Sequence, residues 1–209
     1  LNRFYDVEKG SISIGGVDIR NIKKEDLMNE ISYVFQDSKL LKNTILENVR
    51  MGKKDATLEE VNEALKLAQC NDIIAKLPEG LNTIIGAKGT YLSGGEMQRI
   101  SLARAILKNS KIIILDEATA FSDPENEYLI QKAFQNLSKN KTVIMIAHRL
   151  KTVQHADQIL VLDNGRLVER GTHEQLLAKK GYYSTVFHHQ YGEFDRFKKV
   201  RAEKGRGEA

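Results

Sequence analysis

The chain predicts an α/β fold with a parallel sheet core, an inserted α-helical region and a small antiparallel β piece, on three observations. Residues 112–115 and 142–147 are short, apolar and rich in β-branched side chains, the pattern of strands buried on both faces of a parallel sheet. Between them Pro124, behind Ser122 and Asp123, opens a helix, and strand, helix, strand is the right-handed crossover unit. From about Thr44 to Leu107 the apolar spacing turns helical.

In chain order, residues 1–5 read as the inside of a helix. Ile12, Ile14, Val17 and Ile19 alternate around Gly15-Gly16, as two antiparallel strands on a tight turn do. Residues 31–35 form a further extended piece ending at Gln36. Thr57 and Glu60 make a capping box, and Val61, Ala64, Leu65 and Ala68 follow on one helical stripe. Ser93 and Glu96 make a second box ahead of a helix over 97–107. Tyr128, Ile130, Phe134 and Leu137 supply the apolar face of the crossover helix. Residues 159–162 and 167–168 flank Asp163-Asn164-Gly165-Arg166, a two-residue hairpin turn, and Thr172 with Gln175 caps a last helix.

Bulk properties narrow the classes. At 209 residues, with 41% hydrophobic and 29% charged side chains, the chain suits one packed domain. The net charge of +4 comes from 32 basic and 28 acidic groups spread along its length, which argues against nucleic acid as a partner. The apolar runs fall far short of the ~20 residues that span a bilayer. Cys70 stands alone, so no internal disulfide forms; it reads as a packed helix residue in a reducing compartment. The basic end of the chain reads as a solvated terminus rather than a lipid contact.

Two places carry chemistry. Asp116-Glu117 and His148 follow the two apolar strands, and parallel sheets bind ligands outside the carboxyl ends of their strands. The acid pair alone suits a surface turn equally well. Leu92-Ser93-Gly94-Gly95-Glu96 opens a helix with two glycines, so free N–H groups and the helix dipole could meet a phosphate. An ordinary capped helix has the same signature.

Taken in order, Gln36, Leu92-Ser93-Gly94-Gly95-Glu96, residues 112–115 with Asp116-Glu117, and His148 resemble the ABC ATPase family. The resemblance makes these the Q-loop, signature, Walker B strand with catalytic glutamate, and H-loop, with Asp123 as the D-loop aspartate. It implies a P-loop NTPase-type, RecA-like sheet from which the N-terminal strands and the Walker A loop are missing. It also implies Glu117 as general base and His148 beside the γ-phosphate. Gln36 and Asp116 would hold Mg²⁺, and Ser93, Gly94, Gly95 and Glu96 would close over ATP held by a second such domain. Residues 1–193 are then the ATPase domain fragment, with 38–108 its helical subdomain, 1–37 and 109–193 the α/β core, and 194–209 a basic flexible tail. Implied partners are a second nucleotide-binding domain and transmembrane domains, at the cytoplasmic face of the cell membrane. The segment after Gln36 looks like that of exporters.

The family pattern is broken in places. No glycine-x-x-x-x-glycine-lysine-serine/threonine string occurs, and Gly52-Lys53-Lys54 lacks both the first glycine and the hydroxyl. Residues 1–5 resemble the end of the helix which that loop opens. Ala87 stands where exporters usually carry an acid. The expectation is therefore an exporter ATPase whose fragment is inactive alone. The alternatives are a soluble ABC-type ATPase and a non-catalytic subunit lending only its signature in trans.

Overall fold

The computed structural model describes residues 1, 3–35, 39–86, 90–116, 124–147 and 149–191. They fall into two compact units, the first ending at Ile146 and the second starting at Ala147.

In the first unit, strands β1 (Ser13–Ile14) and β2 (Val17–Asp18) pair antiparallel around the expected glycine turn. Helix α1 (Lys24–Glu30) leads into β3 (Ile31–Val34). Helices α2 (Ile45–Arg50), α3 (Leu58–Leu67), α4 (Asn71–Lys76) and α5 (Gly94–Lys108) follow, then β4 (Ile112–Asp116), α6 (Pro124–Ser138) and β5 (Thr142–Ile146). β3, β4 and β5 form a parallel sheet in that order, so the β4–α6–β5 crossover is as the sequence predicts. Both predicted capping boxes of this unit form: Thr57 with Glu60 and Ser93 with Glu96, each worth about 1 kcal/mol.

The sheet register sorts side chains into two faces. Ile113 and Leu115 join Ile45, Val49, Val61, Leu65, Ile100, Leu102, Ile130 and Leu137 in the main core, on the helical side. Ile114 faces the other way, with Ile31, Leu27 and Ile19, under α1 and the β1–β2 hairpin.

Four expectations are corrected. β5 is not buried on both faces: Val143 and Met145 pack on the main core, while Thr142, Ile144 and Ile146 are exposed. The reason is position, because β5 is the edge of the described sheet and the α1/hairpin layer covers β3 and β4 only. Tyr128 is 64% exposed, and Ala133 takes its place on the buried stripe of Ile130, Phe134 and Leu137. Residues 1 and 3–5 are not helical, since a stretch this short cannot repay helix nucleation. Cys70 is packed as expected, but it caps the start of α4 instead of lying inside a helix. Burial pushes its thiol up to about 12.

In the second unit a short 3-10 turn over Leu150–Val153 precedes β6 (Ile159–Asp163) and β7 (Arg166–Gly171), an antiparallel hairpin with Asn164 and Gly165 at φ of 46° and 75°, as a type I′ turn requires. Helix α7 (His173–Lys179) carries the predicted Thr172/Gln175 box. A further helix, α8, runs over 182–191, and the Glu169 carboxylate accepts from the Tyr182 and Tyr183 N–H groups at its start. Ile159, Leu176 and Tyr183 form this unit's own small core.

Candidate nucleotide site

All three sheet strands are parallel, so their carboxyl ends share one edge. Asp116 closes β4 there, opposite Ile146 of β5. Its Oδ2 accepts a hydrogen bond from the Tyr33 hydroxyl at 3.3 Å. Burial, then the Asp116 charge, pushes the Tyr33 phenol up, so it stays a proton donor. Its ring lies 4.1 Å from that of Phe35. Asp116 is half-buried, and among the described residues Tyr33 is the one side-chain donor to its carboxylate.

The next residues along the chain, Gln36 after Phe35 and Glu117 after Asp116, lie outside the described residues, as do Asp123 and His148. So do Ala87 and its neighbours 88 and 89. Among the described residues, no three His, Cys, Asp or Glu side chains gather to hold a metal ion. A half-buried carboxylate at a strand tip fits Mg²⁺, which keeps much of its water and takes one or two protein carboxylates beside phosphate oxygens.

The second motif is held differently. Ser93 Oγ accepts from Glu96 N at 3.2 Å, and Glu96 Oε2 accepts from Ser93 N at 2.8 Å. Ser93 and Gly94 are exposed, whereas from Gly95 onward α5 is buried on nearly every side. The Gly94 and Gly95 N–H groups head the helix and have no partner inside it, the local arrangement that suits an anion. Gly95 is close-packed: a Cβ there would lie 3.0–3.1 Å from the Asn126 side chain of α6. Gly52, which resembles part of a phosphate loop in sequence, has a packing role instead, because a side chain there would strike the Arg104 carbonyl of α5.

Sequence reasoning missed the residues that brace these motifs. Arg99, with a side chain 2% exposed, grips Asp72 in two prongs of 2.7 and 2.9 Å and also reaches the Gln69 carbonyl. The bond from Arg99 holds the Asp72 carboxyl below its usual range. Asn48, fully buried, ties down residues 41–44 through bonds to Leu41 N (2.8 Å), Leu41 O (3.0 Å) and Thr44 O (2.9 Å). Arg104 Nε donates to its carbonyl at 2.8 Å. A charged or amide residue inside an otherwise apolar helix is the one sequence signal that could have flagged them.

The fold and this strand-edge arrangement match one class. The family model for ABC transporters matches residues 1–120, and the chain belongs to that family, as part of its nucleotide-binding domain. It is of the exporter type: it resembles a solved bacterial Atm1-family ABC exporter with ATP bound, at a TM-score of 0.84 and 42% identity, over 91% of this chain and 33% of that one. It is 49% identical to the mycobactin import ATP-binding/permease protein IrtA of Mycobacterium tuberculosis over 90% of this chain and 22% of that protein. It is 47% identical to YgaD of Bacillus subtilis, an ATP-binding/permease protein named for multidrug export, over 90% of this chain and 32% of that protein. The chain therefore spans between a fifth and a third of these relatives' length. No helix among its described residues is long and apolar enough to cross a membrane.

Proposed function

We propose that this chain is the greater part of an ATP-hydrolysing motor domain that drives transport across a membrane, working as one of a pair. The observation that carries the reading is the pairing of two edges: a carboxylate at the carboxyl end of β4, and an exposed Ser93-Gly94 turn at the mouth of a buried helix. Asp116, with Gln36, would hold Mg²⁺ through oxygen, and the bound ion would neutralise charge on the β- and γ-phosphate oxygens. Glu117 takes a proton from the attacking water, and His148 keeps that water and the γ-phosphate in line. Asp123 borders the same nucleotide. Ser93, Gly94, Gly95 and Glu96 belong to the opposite role, capping ATP held by a second nucleotide-binding domain. Binding then joins the two domains and hydrolysis parts them, which moves attached transmembrane domains at the cytoplasmic face of the membrane.

The 209 residues alone are poorly stable and inactive on this reading. The missing phosphate-loop string and the uncovered apolar residues Ile144 and Ile146 on β5 support it. Relatives of nearly equal identity are named for import and for export, so transported substrate and direction belong to the membrane part.

Glu117→Gln in the intact polypeptide should lower ATP turnover about 10²- to 10⁴-fold while nucleotide binding persists. Unchanged turnover would sink the proposal. A non-catalytic role is favoured by the absent loop string alone. Calorimetry separates the two: an intact polypeptide that binds no MgATP is a subunit lending only its signature.

A further inference from the structure

The foot of β3 is bolted in place by polar groups. Ser32 Oγ donates to Ser110 Oγ at 2.9 Å, Ser110 Oγ donates in turn to the Asn29 carbonyl at 2.9 Å, and both serines are buried. Lys108, the last residue of α5, donates to the Met28 and Ile31 carbonyls at 2.6 Å each. These bonds tie the junction of α1 and β3 to the end of α5 and the turn before β4. They hold the two strands in the register that sets Tyr33 beside Ile114. Ile114 and Asp116 share one face of β4, because side chains alternate along a strand. Tyr33 packs on that face too, in the cluster of Ile31 and Ile114. Its hydroxyl therefore reaches one pleat repeat, about 6–7 Å, along the neighbouring strand to Asp116.

Packing accounts for the Tyr33 ring, which lies against this cluster and Phe35, but not for its hydroxyl. At 3.3 Å the bond to Asp116 is longer than a strong O–H···O⁻ contact, so it steers the carboxylate more than it stabilises it. The donor is also neutral: unlike lysine or arginine, a phenol leaves the whole negative charge of the carboxylate to a cation. We infer that Tyr33 is a positioning residue whose hydroxyl holds the Asp116 carboxylate in one orientation for Mg²⁺, and so sets how much free Mg²⁺ the nucleotide site requires. The inference rests on the proposed motor function, in which Asp116 is a ligand of that ion. Hydrogen-bond partners of metal-ligating carboxylates commonly matter about 10- to 100-fold in metal affinity, and a single long, neutral bond belongs at the lower end.

Calorimetry of a non-hydrolysable ATP analogue binding to the intact polypeptide, at graded free Mg²⁺ and in EDTA, tests this with Tyr33→Phe. That variant deletes one oxygen and keeps the ring. The free Mg²⁺ that gives half of the full gain in nucleotide affinity should rise about tenfold, while affinity in EDTA stays unchanged. In an Asp116→Ala background the same substitution should cause no further loss, since the hydroxyl then has no carboxylate to hold. Equal losses with Mg²⁺ and in EDTA make Tyr33 a structural residue and overturn the inference. An unchanged midpoint, or an effect that survives Asp116→Ala undiminished, overturns it as well. The two proposals fail differently. A polypeptide that binds no nucleotide, or an Mg²⁺ requirement that Asp116→Ala leaves untouched, refutes the metal site of the motor reading and the inference with it. A requirement that Asp116→Ala alters and Tyr33→Phe does not refutes the inference alone.

Discussion

Helix α5 and strand β5 are both rich in apolar residues, yet α5 is covered on nearly every side whereas β5 leaves Thr142, Ile144 and Ile146 exposed. The helix has neighbours on all flanks, in α2, α3, α6 and β3. Among the described residues the strand has one hydrogen-bonded neighbour, β4, and a covering layer on one face only. The difference shows that the helical side of this chain is self-sufficient, while its sheet presents an apolar edge that calls for cover. The Ser93-Gly94 turn opens the covered helix, whereas Asp116 ends β4, the strand that borders β5.

The comparison can be broken by substitution, starting where the effect is largest. Leu102→Ala empties a site with no exposure at the centre of the main core, and should lower stability by about 2–5 kcal/mol in chemical denaturation. A loss under 1 kcal/mol would mean that α5 is less tightly held than its burial implies. Ser93→Ala removes one half of a capping box and should lower stability by about 1 kcal/mol, leaving the α5 core intact. Ser93→Gly should lower it by only a few tenths, because glycine also tolerates the cap position. A comparably small effect, within about 0.5 kcal/mol, belongs to Ile144→Thr in the 209-residue chain, because that side chain is already 38% exposed and β-branched threonine suits a strand. The same substitution in the intact polypeptide sharpens the contrast: a loss of 1 kcal/mol or more there would mean that residues outside this stretch cover β5.

Much of this could be read from residue order. The helix starts at Thr57, Ser93 and Thr172 were legible because a capping box is a local bargain between a hydroxyl, a carboxylate or amide, and a few N–H groups. The hairpin at Asn164-Gly165 was legible because few residues adopt positive φ. Asp116 could be placed at a strand tip because an acid after four apolar residues ends a buried run. Apart from the helix expected over residues 1–5, what failed depended on which neighbours cover a side chain. The apolar content of residues 142–147 implied burial on both faces, and only the strand order reveals an edge.

By itself, then, the sequence determined the element types, their caps and turns, the parallel crossover and the family, all of which follow from interactions within a few residues or from motif order. Only the tertiary structure decided that Arg99 would be buried against Asp72, that Asn126 would meet Gly95, that Asn48 would tie down residues 41–44, and that Tyr33 would reach Asp116. Those pairings join residues from 4 to 83 positions apart. Most are bonds between polar side chains and distant groups, and no periodicity encodes them; they exist because packing the apolar stripes first brings their elements side by side.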